Sequence, residues 1–273
     1  MAGYTAADVK KLRDETDAPM MECKSALEEA NGDYERAKEI LREKGKAAAG
    51  KKAGRATNAG VVAFAVSADS KTLAAVVVQS ETDFVSKNEN FVNAAQKVAD
   101  YVLANGAPEG NPMDDPKLKE FAEEIVAMFR ENVQIARARR FESDAPISHY
   151  LHHDRTAGTV VVADGPAAGT EVIRKVAVHA TAFAPEVVSK EQLSQEKLDA
   201  EMEIELKRAL EEGKPENIAR NIAQGRVNKD YVKRVVLLEQ PWYLDQSKSV
   251  SQYLAEEAKG TTIKEVVRFS VSG

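Results

Sequence analysis

The N-terminal stretch carries its apolar residues at helical intervals: Val9 and Leu12, then Met20, Cys23 and Leu27, then Tyr34, Ala37, Ile40 and Leu41. Steps of three, four and seven put each set on one helix face, so three amphipathic helices are predicted. Thr5 and Asp8 form a capping-box pattern, Pro19 suits the start of the second helix, and Asp33 after an Asn-Gly turn caps the third. The third helix is predicted to stop near Gly45. That leaves "GKAAAGKKAGRATNAG" as a small-residue linker with Lys46, Lys51, Lys52 and Arg55.

From Gly60 the period changes. "GVVAFAV" and "TLAAVVVQ", joined by "SADSK", read as a β-hairpin. "ETDFVSKNENF" follows, then a helix with Phe91, Ala94, Ala95 and Val98 on one face. After a Gly/Pro/Asn loop, Asp115-Pro116 open another helix bearing Leu118, Phe121, Ala122 and Ile125. Its end is predicted to be "ARARRF", with Arg137, Arg139 and Arg140 where the helix dipole favours cations. The pattern then repeats. "ISHYLHHD" and "AGTVVVADG" form a second hairpin, and Ile173, Val176, Ala177 and Ala180 mark a helix ended by Pro185.

Residues 191–231 interrupt this second unit. Leu198, Met202, Leu206 and Leu210 step by four, "EEGKPE" breaks the helix, and Ile218 and Ile222 continue on a returning one. The seam of this projecting hairpin allows two readings, closed on itself or paired with a second copy. "VKRVVLLEQ" is predicted to be β, followed by a short helix over "SVSQYLAEEAKG" and a last strand with Val267, Phe269 and Val271 alternating. The fold class is α+β. The expected division is a three-helix domain with a basic linker (1–55), a first lobe (56–141), a second lobe (142–190 and 232–273) and an inserted helical hairpin (191–231).

Composition narrows the function. A formal charge of −6 argues against a dedicated nucleic-acid binder, though local basic patches exist. Apolar residues at 43% exclude disorder. Cys23 is the only cysteine, which rules out an internal disulfide and suits a reducing cytoplasm. The N-terminus lacks an apolar stretch of signal-peptide type, and no run approaches the ~20 apolar residues of a membrane helix. A cytoplasmic protein is expected.

The usual catalytic patterns are missing. "GKAAAGKK" fits a phosphate-loop spacing, but Lys52 stands where Ser or Thr would hold magnesium, and a helix precedes it where a strand is needed. His149, His152, His153 and Asp154 make the densest candidate for zinc. Strand alternation sends His152 and His153 to opposite faces, however, and no second cluster completes a site. Cys23 lies on an apolar face and reads as packing. The linker lysines and Arg137, Arg139 and Arg140 are solvated charge or, alternatively, an RNA- or ribosome-facing patch. Phe84 has two readings, closure of a core or contact with a partner. The second lobe has no copy of "TDF", although both lobes need closing, and that asymmetry favours contact.

Several ordered motifs resemble the bacterial elongation factor Ts family, the guanine-nucleotide exchange factors of elongation factor Tu. "TAADVKKLRDETDAPMMECKSALEEANGDYERA" resembles its ubiquitin-associated-like N-terminal domain, "ETDFVSKNENF" its signature, "GKPENIARNIAQGR" its inserted hairpin and "LLEQPWYLDQSKSVSQYL" a late segment. Asp17 and Pro19 stand where the family usually has glycines. The resemblance implies that Phe84 is a wedge entering the partner near its magnesium and phosphate site. Asp83 is then its polar companion, and Thr82 and Val85 fix the turn. It also implies partner contacts at Met20, Met21, Lys24, His179, Tyr243 and Leu244, with elongation factor Tu as partner. No covalent catalysis is implied, and no cofactor, since the protein acts on the partner's magnesium-bound GDP.

Overall fold

The computed structural model describes residues 3–16 and 18–272; Asp17 and the side chains of Lys46 and Ala48 lie outside the described residues. The chain opens with α1 (Ala6–Thr16), α2 (Met20–Glu29) and α3 (Tyr34–Lys52). The capping box forms: the Thr5 N–H donates to Asp8 Oδ2 at 2.7 Å, and the Asp8 N–H donates to Thr5 Oγ1 at 3.2 Å. Asp33 caps α3 by accepting from the Arg36 N–H at 3.0 Å. Leu12, Cys23, Leu27 and Ala37 are fully buried in a small core of their own. Met20, which spacing placed on the same face, stays exposed.

β1 (Ala59–Val66) and β2 (Thr72–Ser80) make the predicted hairpin. A single turn, α4 (Asp83–Ser86), leads into α5 (Glu89–Asn105). Next come α6 (Pro116–Phe129) and β3 (Val133–Glu142), which pairs antiparallel with β2. β4 (Ser148–Leu151) and β5 (Ala157–Asp164) form the second hairpin, followed by α7 (Glu171–Phe183). α8 (Gln195–Glu211) and α9 (Glu216–Arg226) are the inserted helical hairpin, and α10 (Lys233–Val235) returns the chain. β6 (Pro241–Trp242) and β7 (Asp245–Ser249) pair with each other; α11 (Val250–Glu257) precedes β8 (Thr262–Ser270), which completes a β4-β5-β8 sheet.

The two three-stranded sheets share a core. Val62, Phe64, Val77 and Phe141 of the first meet Val160, Val267 and Phe269 of the second. Alternate residues of the same strands face outward under helices. Val61, Ala63, Val76 and Val78 pack with α5 and α6, and Val161, Ala163 and Ile263 with α7 and α11. Strands covered on both faces need apolar residues at every position, which explains the unbroken run "GVVAFAV". Burying a ring such as Phe91 or Phe269 contributes about 1.5–3 kcal/mol. Gly158 makes room for Phe64, because a Cβ there would lie 2.8 Å from that ring.

Three predicted elements change. The helix expected to end at Gly45 runs on to Lys52, so most of the expected linker is helical. Alanines and lysines are good helix formers, and Gly45 serves a close approach: a Cβ there would sit 2.7 Å from that of Ala127 on α6. Arg137, Arg139 and Arg140 lie on strand β3 and not at a helix end. A bulge leaves Ala136 without a partner, between Val77↔Arg137 and Val78↔Ile135. The extra residue reverses the alternation, sending Ile135 toward α5 and Phe141 toward the second sheet. That phase slip hides the strand from a period-two reading. Finally, "VKRVVLLEQ" is not β: α10 and a 3₁₀ turn over Leu237–Glu239 occupy it. Val232, Val235 and Val236 are buried at the base of the helical hairpin with Tyr231 and Val187, and this packing overrides their β propensity.

Candidate functional site

The turn between β2 and α5 has an unusual distribution of side chains. Val85 packs against the first core and Ser86 is buried, whereas Asp83 and Phe84 point outward. Phe84 is 86% exposed, the most exposed of the large hydrophobic side chains among the described residues. Lys87 Nζ lies 2.7 Å from Asp83 Oδ2, and that pairing holds the carboxyl below its ordinary range. Asp83 is therefore an anion at neutral pH.

The base of the turn is fixed by groups from the α6–β3 corner. Glu131 accepts the Thr82 N–H at 2.9 Å and the Thr82 hydroxyl at 2.6 Å. Glu81 accepts the Asn132 N–H at 2.6 Å and pairs with Arg55 at 3.5 Å. The Thr82 carbonyl accepts from the Ser80 hydroxyl at 3.1 Å and from the Ser86 N–H at 3.3 Å. Sequence reading missed Glu81, Glu131 and Asn132. The only signal available was that Glu81 directly follows β2 and Glu131 lies two residues before β3, positions that many surface carboxylates also occupy.

The other expected contact residues fall in two places. Met20, Met21 and Lys24 are exposed on α2, with Met21 at 70%. Glu22 on the same turn ion-pairs with Arg130, the neighbour of Glu131, which links α2 to the corner that braces the Phe84 turn. Tyr243 and Leu244 form the loop of the β6–β7 hairpin, and Leu244 is 64% exposed. His179 presents no surface: it is fully buried, stacked between Phe183 at 4.7 Å and Trp242 at 5.3 Å. Its helix places it inward, beneath the half-exposed Phe183. Gln240 donates its amide to the Phe183 and Arg234 carbonyls, so its Oε1 accepts from His179 Nε2 at 2.8 Å. His179 Nδ1 is then buried without a partner, and burial pushes the pKa of the imidazole down.

Most of the remaining candidates are engaged in structure, whereas Lys51 is exposed. Arg137 donates to the Arg268 carbonyl at 2.8 Å and lies over Phe269. Arg139 pairs with Glu265 at 2.6 Å and lies over Phe141. Arg140 reaches the Leu103 carbonyl and Glu142. These arginines tie the first sheet to the second and to α5. Lys52 donates to the Arg130 carbonyl, and the Arg55 carbonyl accepts from Asn132 Nδ2 at 2.6 Å. His152 and His153 are not on opposite faces; they lie beyond the end of β4, in its turn, with rings 4.2 Å apart. His152 Nδ1 bonds Asp154 at 2.8 Å, while His149 sits edge-on to Phe64. Among the described residues no three His, Cys, Asp or Glu side chains are grouped to hold a metal ion, and no helix is long and apolar enough to cross a membrane.

Comparison with known proteins settles the lineage. The family model described as elongation factor TS matches residues 81–273, beginning at the Glu81 that braces the Phe84 turn. Elongation factor Ts of Aquifex aeolicus is 38% identical over 97% of this chain and 97% of its own length. That of Thioalkalivibrio sulfidiphilus is 40% identical over 98% of this chain and 92% of its own, and that of Clostridium perfringens 40% over 97% and 92%. The chain belongs to the elongation factor Ts family. Of the side chains singled out above, Asp83, Phe84, Met20, Met21, Lys24 and Leu244 are exposed, whereas Tyr243 packs partly against the second core and His179 is buried.

Proposed function

We propose that this chain promotes release of GDP from elongation factor Tu, with Asp83-Phe84 as the inserted element. The observation that carries the reading is an aromatic ring 86% exposed at the tip of a turn whose base is hydrogen-bonded on both sides. An exposed Phe contributes nothing to its own core. Buried in a partner cleft, it gains about 1.5–3 kcal/mol. If that gain is available only when the partner's magnesium and phosphate donors are displaced, it weakens nucleotide binding. Linkage makes the effect reciprocal, so incoming nucleotide expels the factor. Asp83 enters as an anion and adds like-charge repulsion beside a diphosphate. The step requires neither proton transfer nor a covalent intermediate, nor any cofactor held by this chain.

The three N-terminal helices are read as a ubiquitin-associated-like docking domain that offers Met20, Met21 and Lys24. The two sheet units form lobes over 56–141 and over 142–190 with 232–273. Tyr243 and Leu244 make a contact on the second lobe, with His179 as the buried support of Phe183 beside them. The hairpin at 191–231, with Ile204 60% and Ile218 47% exposed, supplies a surface for self-association or a second contact. The test is release of a fluorescent GDP analogue from elongation factor Tu. Wild type accelerates release, and Phe84→Ala loses most of the acceleration while remaining folded. An unchanged rate with wild type, or a Phe84→Ala protein that unfolds, overturns the reading.

A further inference from the structure

The strands that carry the Phe84 turn separate in a particular way. Their last backbone pair is Ser80↔Val133. Continuing the same register would pair Glu81 with Asn132 and Thr82 with Glu131. At both of these positions a carboxylate replaces the missing ladder carbonyl: Glu81 takes the Asn132 N–H and Glu131 takes the Thr82 N–H. The side chains thereby extend the pairing by two residues past the point where the backbones diverge. Hydrogen bonds to an ionised acceptor are the stronger kind.

The two halves of this clasp differ. Glu81 secures the α6–β3 corner, which is already tied to α2 through Arg130 and Glu22 and to Arg55 through Asn132. Glu131 secures Thr82, the residue immediately before Asp83 and the N-cap of α4. Both Thr82 donors end on this one carboxylate. Phe84 has no packing of its own to set its direction, so that direction is inherited from its anchors: Val85 and Ser86 on the core side, and Thr82 held by Glu131 on the other.

The geometry points to Glu131 as the positioning residue of the Asp83-Phe84 element. It acts through Thr82 and does not itself meet the partner's nucleotide site. This rests on the reading of Phe84 given above. A tip left to swing must be ordered at the moment of insertion, and that cost reduces the rate without removing any contact group.

The experiment measures release of the fluorescent GDP analogue from elongation factor Tu, using the full chain. The variants are Glu131→Ala, Glu131→Gln, Phe84→Ala and the Glu131→Ala/Phe84→Ala double variant. Amide hydrogen exchange at Thr82 is followed in parallel. Glu131→Ala is expected to slow release about tenfold, the effect of losing a charge-assisted bond, with faster exchange at the Thr82 amide. Glu131→Gln can still accept the Thr82 N–H and should recover most of the rate. In the Phe84→Ala background, Glu131→Ala should have no further effect. A wild-type rate for Glu131→Ala beside a slow Phe84→Ala overturns the inference alone. So does an equal fold-loss in both backgrounds. A wild-type rate for Phe84→Ala overturns the underlying reading instead. Should Glu131→Ala fail to fold, Thr82→Val removes only the hydroxyl donor. It should then be slow while Thr82→Ser is fast, and equal rates for the two count against the clasp.

Discussion

Two junctions in this molecule occupy the same place in the fold and use it in opposite ways. Each leaves a strand of a three-stranded sheet and enters the helix that covers that sheet's outer face. In the first, residues 81–88 place Phe84 in solvent above carboxylate-braced ends. In the second, Gly165, Pro166, Ala167, Ala168, Gly169 and Thr170 turn without a large side chain, and both alanines pack inward against the second core. Its brace is also different. The Ala167 N–H donates to Thr261 Oγ1 at 2.9 Å, and Gly169 approaches Pro146 so closely that a Cβ would lie 2.5 Å from that ring. The second junction shows what closing a lobe requires: small residues and one or two hydrogen bonds. What the first carries beyond that, an exposed ring and a charged pair, is surplus to folding and therefore available to function.

The comparison breaks or sharpens under substitution. The largest expected effect is on exchange in Phe84→Ala, a loss of about ten- to a hundredfold from 1.5–3 kcal/mol of forfeited burial. Its denaturation midpoint should move by no more than about 0.5 kcal/mol, since the ring is exposed. A large loss of stability would make Phe84 a core residue and erase the contrast. At the other junction, Gly169→Ala should do the reverse. With φ at +76° and Pro146 in the way, it should cost about 1–3 kcal/mol of stability, measured by urea denaturation, while exchange per folded molecule is retained.

A smaller effect concerns pH. His179 and His149 both have pKa values lowered, chiefly by burial. The unfolded chain therefore binds more protons than the native one below the ordinary histidine value near 6.5. Native stability is complete above that value and is lost as pH falls from it toward the lowered native values. Urea midpoints at pH 7 and pH 5 should differ less in His179→Asn than in wild type. Lys87→Ala should produce the smallest change, none measurable in the midpoint, because its pairing with Asp83 is fully exposed to solvent. A clear shift there would mean that the first junction, like the second, is built for stability.

Much of the fold was legible in the sequence. The capping box at Thr5 and Asp8, the cap at Asp33 and the face of Phe91, Ala94, Ala95 and Val98 all formed as their spacing requires. So did the two hairpins and the break at Gly213 between α8 and α9. The site was legible in part. The asymmetry of "TDF" between the lobes pointed to Phe84, and Phe84 is exposed. His179 illustrates the limit: Val176 and Phe183 place it beside the apolar face of its helix, but only the fold shows that Trp242, distant in the chain, covers it.

Sequence alone determined the elements whose causes are local: caps three residues apart, apolar faces of period 3.6 and turns set by Gly, Pro and Asn. Tertiary structure decided the rest, because the groups that fix it come from distant segments. The strand phase at Ala136 is set by its pairing with β2, and the continuation of α3 through Gly45 by the fit against Ala127. The brace on Thr82 is the clearest case. Its acceptor lies 49 residues away, brought into register only when β3 pairs with β2.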